Sequence, residues 1–353
     1  MMSFLVTVEP TGEQIEVEEG QTILDAALRQ GVWLPFACGH GTCATCKIQV
    51  LDGDVDVGAA SSFALMDMER DEGKVLACCA IPESDLVIEA DIDVDADFAG
   101  HPVEDFDAVV TAIVDLSPTI KGIHFRLDRP MAFQAGQYVN LTLPNLEGTR
   151  AFSIANKPSQ ADQLELHVRL VPGGAGTTWL HEQLAVGDTL RVSGPYGQFF
   201  VRKSDDKGAI FIAGGSGLSS PQAMILDLLE AGDSRPLYLF QGARNQAELY
   251  NRELFEELAQ QFDNFHYIPA LNAEESEDWQ GFRGFVHDAA RDYFDGKLEG
   301  HKAYLCGPPP MIDAAITTLM QGRVFERDIH MERFVTAADG ADDSERSALF
   351  RRI

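Results

Sequence analysis

The chain has 353 residues, 45% of them hydrophobic and 24% charged, with a formal net charge of −29. That length predicts two or three domains, the composition is that of a soluble globular protein, and no apolar run approaches the ~20 residues that cross a bilayer. So acidic a chain argues against nucleic acid or an anionic membrane surface as partner, and six cysteines in it make no disulfide framework.

Residues 1–92 are predicted to form a small β-rich unit. FLVTVEP and EQIEVEEG alternate apolar and polar residues about a Thr-Gly turn, the pattern of a hairpin. QTILDAALRQG follows as a short helix with Gly31 at its end. CKIQVLDGDVDV reads as a strand and turn, and DLVIEADIDV as a closing strand. Residues 93–105, DVDADFAGHPVED, are acidic, weakly apolar and broken by Gly100 and Pro102, and are assigned as a linker.

From 106 to 205 the runs VVTAIVDL, IHFRLD, QYVNLTL, RAFSIAN, LELHVRLV and DTLRVSGPYG predict an antiparallel β-barrel. From 206 to 335 strands such as GAIFIAGG, PLYLFQGA and HKAYLCG alternate with helices such as SSPQAMILDLLEAG and AELYNRELFEELAQQ. That order predicts a parallel, Rossmann-like α/β domain. Residues 336–353 form a tail without periodicity. The charge is uneven: residues 1–100 hold 20 acidic against 4 basic side chains, a balance of −16, and the rest of the chain carries −13. The acidity gathers around the cysteines, as expected of a docking surface for a basic partner. The N-terminal MMSFLVTVEP shows no secretory leader, so a reducing cytoplasmic setting is expected, in which clustered thiols mean metal or redox chemistry.

Residues 38–46, CGHGTCATC, set out Cys38-x4-Cys43-x2-Cys46, and 31 residues then separate Cys46 from Cys78. This is the plant-type [2Fe–2S] spacing. Gly39 and Gly41 permit the unusual φ angles of a loop that turns its N–H groups toward sulfur, and Ala44 and Thr45 are small enough for close approach. A Rieske centre needs a Cys-x-His and a Cys-x-x-His pair; Cys38-Gly39-His40 supplies the first, but Cys43 leads to Cys46. Zinc on Cys43, Cys46, Cys78 and Cys79 would leave Cys38 and the glycines unused, and neighbours on a strand face opposite ways. A thioredoxin-like dithiol would open a helix, whereas Cys46 leads into strand-like KIQV. The spacing favours a cluster loop. LACCAIP offers Cys78 or Cys79 as the fourth ligand, and only one can face the cluster.

The unit resembles the plant-type ferredoxin domain, whose last ligand follows an apolar pair such as Leu-Ala. The resemblance implies that Cys78 joins Cys38, Cys43 and Cys46 as ligands, that Cys79 packs, and that His40 has no redox duty. A [2Fe–2S] cluster moves single electrons, so a domain binding a hydride donor needs a flavin between them. RAFSIAN resembles the Arg-x-Tyr-Ser motif of the ferredoxin–NADP reductase superfamily, with Phe152 for the Tyr. It implies that Arg150 pairs with the FAD pyrophosphate, that Phe152 packs on the isoalloxazine, and that the Ser153 hydroxyl bonds near its N5. PGGAGTTWL resembles the superfamily's Gly-Gly-x-x-Ser-x-Tyr-Leu phosphate segment, with Gly174 opening a short helix, Thr177 at the Ser position and Trp179 at the aromatic one. GPYGQF matches the Gly-Pro-x-Gly-x-Phe that closes the barrel.

IFIAGGSGLSSPQAM resembles the superfamily's Gly-Gly-x-Gly nucleotide loop, with Gly214, Gly215 and Gly217 in place and Ser220 where a Pro is common. YLCGPPPM matches Cys-Gly-Pro-x-x-Met, in which Cys306, followed by Gly307, sits beside the nicotinamide C4. HMERFV resembles the closing segment in which Glu332 and Phe334 lie near the flavin and nicotinamide faces. Ser153, Cys306 and Glu332 are therefore expected to carry hydride transfer. In FQGARNQAELYNRELF, Glu248 is placed to accept from a ribose 2′-OH and repel a 2′-phosphate, while Arg244 acts the other way; NADH is expected over NADPH.

The order of ferredoxin domain, FAD barrel and NAD domain is that of the reductase components of bacterial multicomponent oxygenases. CGHGTCATC, GTRAFSIAN, GGSGLSSPQAMILDLLE and CGPPPMIDAAITTLMQG are most similar to the phenol hydroxylase reductases among them. The resemblance implies a multidomain fold: a β-grasp-like [2Fe–2S] domain, an antiparallel FAD barrel and a Rossmann-like NAD domain. It also implies NADH as donor and the di-iron hydroxylase of an oxygenase complex as acceptor. A reductase serving a Rieske-type dioxygenase or another oxygenase is the alternative. A carrier module without hydride chemistry is a second, against which the intact Ser153, Cys306 and Glu332 weigh.

Overall fold

In the computed structural model, residues 2–92, 95–273 and 276–334 are described; residues 93 and 94 of the expected linker, residue 335 and the tail 336–353 lie outside them. The first compact unit runs to Glu104 and the second begins at Asp105.

The first unit opens with the expected hairpin, β1 (Ser3–Glu9) against β2 (Glu13–Glu18). Val6, Val8, Ile15 and Val17 are buried, and Glu13, Glu16 and Glu18 of β2 are exposed. Helix α1 (Ile23–Arg29) starts where the Thr22 hydroxyl accepts the Asp25 N–H, and ends where Gly31 takes φ +74° and Val32 N–H bonds the Ala27 carbonyl. There follow β3 (Lys47–Asp52), β4 (Val55–Asp56), α2 (Asp67–Asp71), β5 (Lys74–Leu76), β6 (Ile81–Pro82) and β7 (Leu86–Glu89). The main sheet is ordered β2-β1-β7-β3-β5, with β1 and β7 parallel and its other assigned pairs antiparallel, a β-grasp-like arrangement. Strand β7 is shorter than DLVIEADIDV predicts because its ladder with β1 ends at the Glu9–Glu89 pair.

The expected linker is not a free tether. Phe98 packs edge-on against Trp33 with ring centroids 5.1 Å apart. Val103 is buried, and its N–H bonds the Leu28 carbonyl. Phe98 and Val103 thus seat residues of an otherwise acidic segment on the first unit.

Strand β8 (Glu104–Ser117) crosses into the second unit, and β9 (Ile120–Leu127), β10 (Tyr138–Thr142), β11 (Thr149–Ser153), β12 (Gln163–Arg169), helix α3 (Ala175–Glu182) and β13 (Thr189–Tyr196) follow. Their order, β11-β10-β13-β8-β9-β12, closes through an Ile154–Leu166 bridge into the predicted barrel, filled by side chains such as Phe106, Phe125, Leu141 and Val192. Then come β14 (Gly208–Gly214), α4 (Ser219–Glu230), β15 (Leu237–Ala243), α5 (Arg252–Gln261) and β16 (Phe265–Leu271). The unit continues with β17 (Phe282–Arg283), α6 (Val286–Tyr293), β18 (His301–Gly307), α7 (Pro309–Gln321) and β19 (Ile329–Arg333). All neighbours in β17-β16-β15-β14-β18-β19 are parallel. Strand β14 is buried along its whole length, which is why GAIFIAG reads as an unbroken run without alternation.

The sheet grows outward from β14 in both directions, so the C-terminal ends of β14 and β18 open a crevice of the kind in which dinucleotides bind. Ile120, Phe199 and Val201 of the barrel share one apolar cluster with Phe211, Leu228 and Tyr304, which joins barrel and parallel sheet. AELYNRELFEELAQQ is not one helix as predicted. Glu248 lies in a short 3₁₀ turn, and α5 begins only after Asn251, which takes φ +54°.

Candidate functional site

Residues 38–46 lie outside any strand or helix, in a loop with three left-handed residues: Gly39 (φ +69°), Gly41 (+74°) and Ala44 (+64°). At Gly41 the conformation and the space both demand glycine, since a Cβ there would stand 2.6 Å from Cys79 Sγ. The Cys38 N–H points at Cys43 Sγ (3.4 Å) and the His40 N–H at Cys38 Sγ (3.3 Å). Cys46 Sγ lies 3.2 Å from Cys78 Sγ, and all of these cysteines are reduced.

Burial works against ionising Cys38, but the Thr42 hydroxyl and the His40 N–H bring its thiol down to about 7. The hydrogen bond from Cys46 lowers Cys78 to about 6 and, with burial, pushes Cys46 up. Thiolate is the form that binds iron. Reduced sulfurs with backbone N–H groups aimed at two of them are a donor set that fits an iron–sulfur cluster.

Cys79 differs from expectation in its setting. Strand β5 ends at Leu76, so Cys78 and Cys79 occupy a turn and are not alternating strand neighbours; their sulfurs stand only 3.7 Å apart. The argument from opposite strand faces therefore does not apply. What separates the two is that Cys78 meets Cys46, whereas Cys79 packs on Gly41.

In the second unit, pairing of β10 with β11 fixes Arg150, Phe152 and Ser153 along one strand. Arg150 bonds the Glu147 and Thr149 carbonyls, and its stem passes Gly176 in the first turn of α3, where a Cβ would come within 3.1 Å of it. A guanidinium and the free N–H groups of a helix N-terminus thus lie together, which fits a pyrophosphate. Gly174 is the N-cap of α3. The Thr177 hydroxyl braces that turn, donating to the Gly174 carbonyl (3.2 Å) and accepting from Val171 N–H (3.1 Å). Phe152 packs partly buried against the barrel core. Tyr138 and Tyr196, stacked at 5.5 Å beside this strand, were not singled out from the sequence; their only signal there was the YGQF turn.

Ser153, Cys306 and Glu332 meet. The Ser153 hydroxyl donates to Glu332 Oε2 at 2.8 Å, and the Cys306 thiol lies 3.7 Å from the same oxygen. A fourth residue joins them: Ser220 Oγ donates to that oxygen at 3.1 Å. Burial raises the Glu332 carboxyl above the usual carboxylate range against the three donors, and burial together with Glu332 holds the Cys306 thiol protonated. Gly214 ends β14, Gly215 and Gly217 form the turn into α4, and Gly307 ends β18. At Gly217 a Cβ would meet the Cys306 carbonyl at 2.3 Å, so only glycine lets this turn close on β18. Phe334 bonds the Gly307 carbonyl through its N–H (2.9 Å) and packs on the shared core.

Glu248 is engaged differently from the sequence reading. One oxygen accepts from Thr119 Oγ1 of the barrel (2.9 Å) and the other pairs with Arg244 (3.3 Å), so the carboxylate ties barrel to sheet.

Three family models match the chain: a 2Fe-2S iron-sulfur cluster binding domain over residues 6–83, an oxidoreductase FAD-binding domain over 107–201, and an oxidoreductase NAD-binding domain over 211–317. The chain is 74% identical, over 100% of both sequences, to the reductase component DmpP of phenol 2-monooxygenase from Pseudomonas sp. (strain CF600). It is 71% identical, again over 100% of both, to the phenol hydroxylase P5 protein of Acinetobacter pittii. The solved Amycolatopsis reductase GcoB superposes with a TM-score of 0.85 at 37% identity, covering 94% of this chain and 98% of that one. Among the described residues no helix is long and apolar enough to cross a membrane. The chain belongs to the family of phenol hydroxylase reductase components, oxidoreductases that join a 2Fe-2S ferredoxin domain to FAD- and NAD-binding domains.

Proposed function

We propose that this chain draws electrons from NADH and delivers them to the di-iron hydroxylase of a phenol-oxidising complex, with Cys38, Cys43, Cys46 and Cys78 as ligands of the cluster on the first unit. When bound, FAD takes two electrons as hydride and gives them up singly, matching a two-electron donor to a one-electron cluster. Arg150 and the first turn of α3, opened by Gly174 and braced by Thr177, hold its pyrophosphate. Phe152 offers an apolar face to the flavin ring. Gly214, Gly217 and Gly307 let the turn after β14 pack tightly on the end of β18, Gly215 lies in that turn, and the nucleotide lies along it with Phe334 at the border.

The observation that carries the hydride site is the convergence on one Glu332 oxygen of Ser153 and Cys306, residues from opposite ends of the second unit. Ser153 can turn its hydroxyl between that carboxylate and a flavin nitrogen. The protonated Cys306 thiol presents an uncharged surface to the nicotinamide. Glu332, with its raised pKa, can hold or release a proton at Oε2 as charge develops beside it. The −16 balance of residues 1–100 suits a basic docking patch on the acceptor.

Reconstitution with a purified di-iron phenol hydroxylase, NADH and phenol tests the reading. NADH-coupled hydroxylation that slows as salt is raised is the expected result. Equal or faster turnover with a Rieske dioxygenase in place of that hydroxylase would overturn the choice of acceptor.

A further inference from the structure

We infer that Ser220 is a positioning residue of the hydride-transfer site: its hydroxyl anchors the Glu332 carboxylate, leaving the Ser153 hydroxyl able to turn away from it toward the flavin. The inference rests on the reading of Ser153, Cys306 and Glu332 given above and adds a residue to it.

Ser220 is wholly buried at the second position of α4. Its backbone cannot drift. Ala223, Met224 and Leu228 of the same helix are core residues, and the preceding Ser219 hydroxyl is tied to the Ser216 carbonyl at 2.9 Å. Glu332 Oε2 lies 3.1 Å from Ser220 Oγ.

A serine hydroxyl has one proton to give. If Ser153 alone held Oε2, any turn of its hydroxyl toward another acceptor would leave that oxygen with only the thiol at 3.7 Å, a weak donor. A partly buried carboxylate stripped of its donor would then change rotamer or bind a proton. Ser220 supplies a second hydroxyl from a different element, so the carboxylate keeps its place while Ser153 moves.

The groups facing Glu332 are Ser153 from β11, Ser220 from α4 and Cys306 from β18, none of them charged. Tyr250, on which Cys306 bears electrostatically, is kept neutral by burial. Donation from Ser220 favours the ionised form of Glu332, so loss of that hydroxyl raises the carboxyl further.

The test uses the holoprotein and its Ser220→Ala, Ser220→Thr and Glu332→Gln variants. Infrared pH titration of the oxidised resting protein follows the protonated Glu332 C=O stretch, assigned by its loss in Glu332→Gln. Anaerobic stopped-flow reduction of the flavin by NADH gives the rate against pH. Ser220→Ala, which removes only a hydroxyl, should move the infrared midpoint up by about one pH unit, a tenfold gain in proton affinity. The corresponding limb of the rate profile should move with it, and Ser220→Thr should restore both. An infrared midpoint in Ser220→Ala identical to wild type would overturn the inference and leave the site reading standing. A Glu332→Gln protein whose rate profile kept the wild-type limb would overturn the site reading itself.

Discussion

The thiol loop of the first unit and the carboxylate knot of the second are built in opposite ways. The loop takes three of its four proposed ligands from nine consecutive residues, and backbone geometry at Gly39, Gly41 and Ala44 shapes it. The knot gathers one side chain each from β11, α4, β18 and β19, and Ser153 and Glu332 are 179 positions apart. A local site depends on φ angles and spacing; a dispersed one depends on the strand order that carries its parts to one crevice. Damage to the first should therefore be confined to it, whereas the second should respond to changes in the sheet and the barrel alike.

The largest effect expected follows from that confinement. Cys43→Ser should abolish the cluster's iron and its reduced-state EPR signal and bring reduction of cytochrome c and of the hydroxylase to background. NADH-dependent reduction of ferricyanide should persist, since it needs only the second unit. Removal of residues 1–103 should do the same; the cut belongs there because residues 95–103 are seated on the first unit through Phe98 and Val103. Wild-type cytochrome c reduction by either variant would show that the two sites do not work in series. Within the loop, Cys78→Ala should lose iron and Cys79→Ala retain it, and the opposite pattern would exchange their roles.

In the knot, Glu332→Gln should slow reduction of the flavin by NADH by about two orders of magnitude, with iron content unchanged. It also carries a stability signature. The carboxyl pKa is raised in the folded state, so folding favours the protonated form, and that contribution is lost as pH rises through the raised value. Wild type should lose stability over that interval, and Glu332→Gln should not. Equal melting-temperature profiles against pH would contradict the raised carboxyl.

A smaller effect probes the geometry of the loop. Gly41→Ala places a side chain at φ +74° and 2.6 Å from Cys79 Sγ. The conformation alone costs roughly 1–2 kcal/mol. Cluster occupancy and melting temperature should both fall, and adding Cys79→Ala should return the part due to the clash. No recovery in the double variant would mean that the conformation accounts for the whole loss.

The two regions also differ in how far they were legible in the sequence. The ligand spacing, the barrel motifs and the alternation of strands and helices are local, and the elements follow their patterns except where β7 ends early and AELYNRELFEELAQQ splits at Asn251. The argument from opposite strand faces at Cys78 and Cys79 fails because facing depends on where β5 stops, which the sheet decides. Ser220 was visible only as a departure from proline; that its hydroxyl reaches Glu332 follows from the strand order that brings β19 to the start of α4, which no local pattern contains. The linker was read as a free tether because a count of acids averages over Phe98 and Val103, which pack on the first unit. Glu248 was given a ligand, while its nearest partner is Thr119, 129 residues earlier and in another layer.

That last difference sets the smallest effect. Arg244 is largely exposed and paired with Glu248, whose other oxygen is fixed by Thr119. With its charge answered, Arg244 is a poor host for the 2′-phosphate of NADPH, because binding it would require breaking the pair. The preference for NADH is therefore predicted to rest on Glu248 occupying Arg244, a cause different from direct contact with the ribose. Glu248→Gln should free the guanidinium and raise kcat/KM for NADPH by about tenfold, which is ~1.4 kcal/mol. The value for NADH should change little, and Arg244→Ala in the same chain should cancel the gain. A fall in NADH kcat/KM with no gain for NADPH would instead return Glu248 to the role of ribose acceptor, and comparable wild-type kcat/KM values for the two nucleotides would remove the preference altogether.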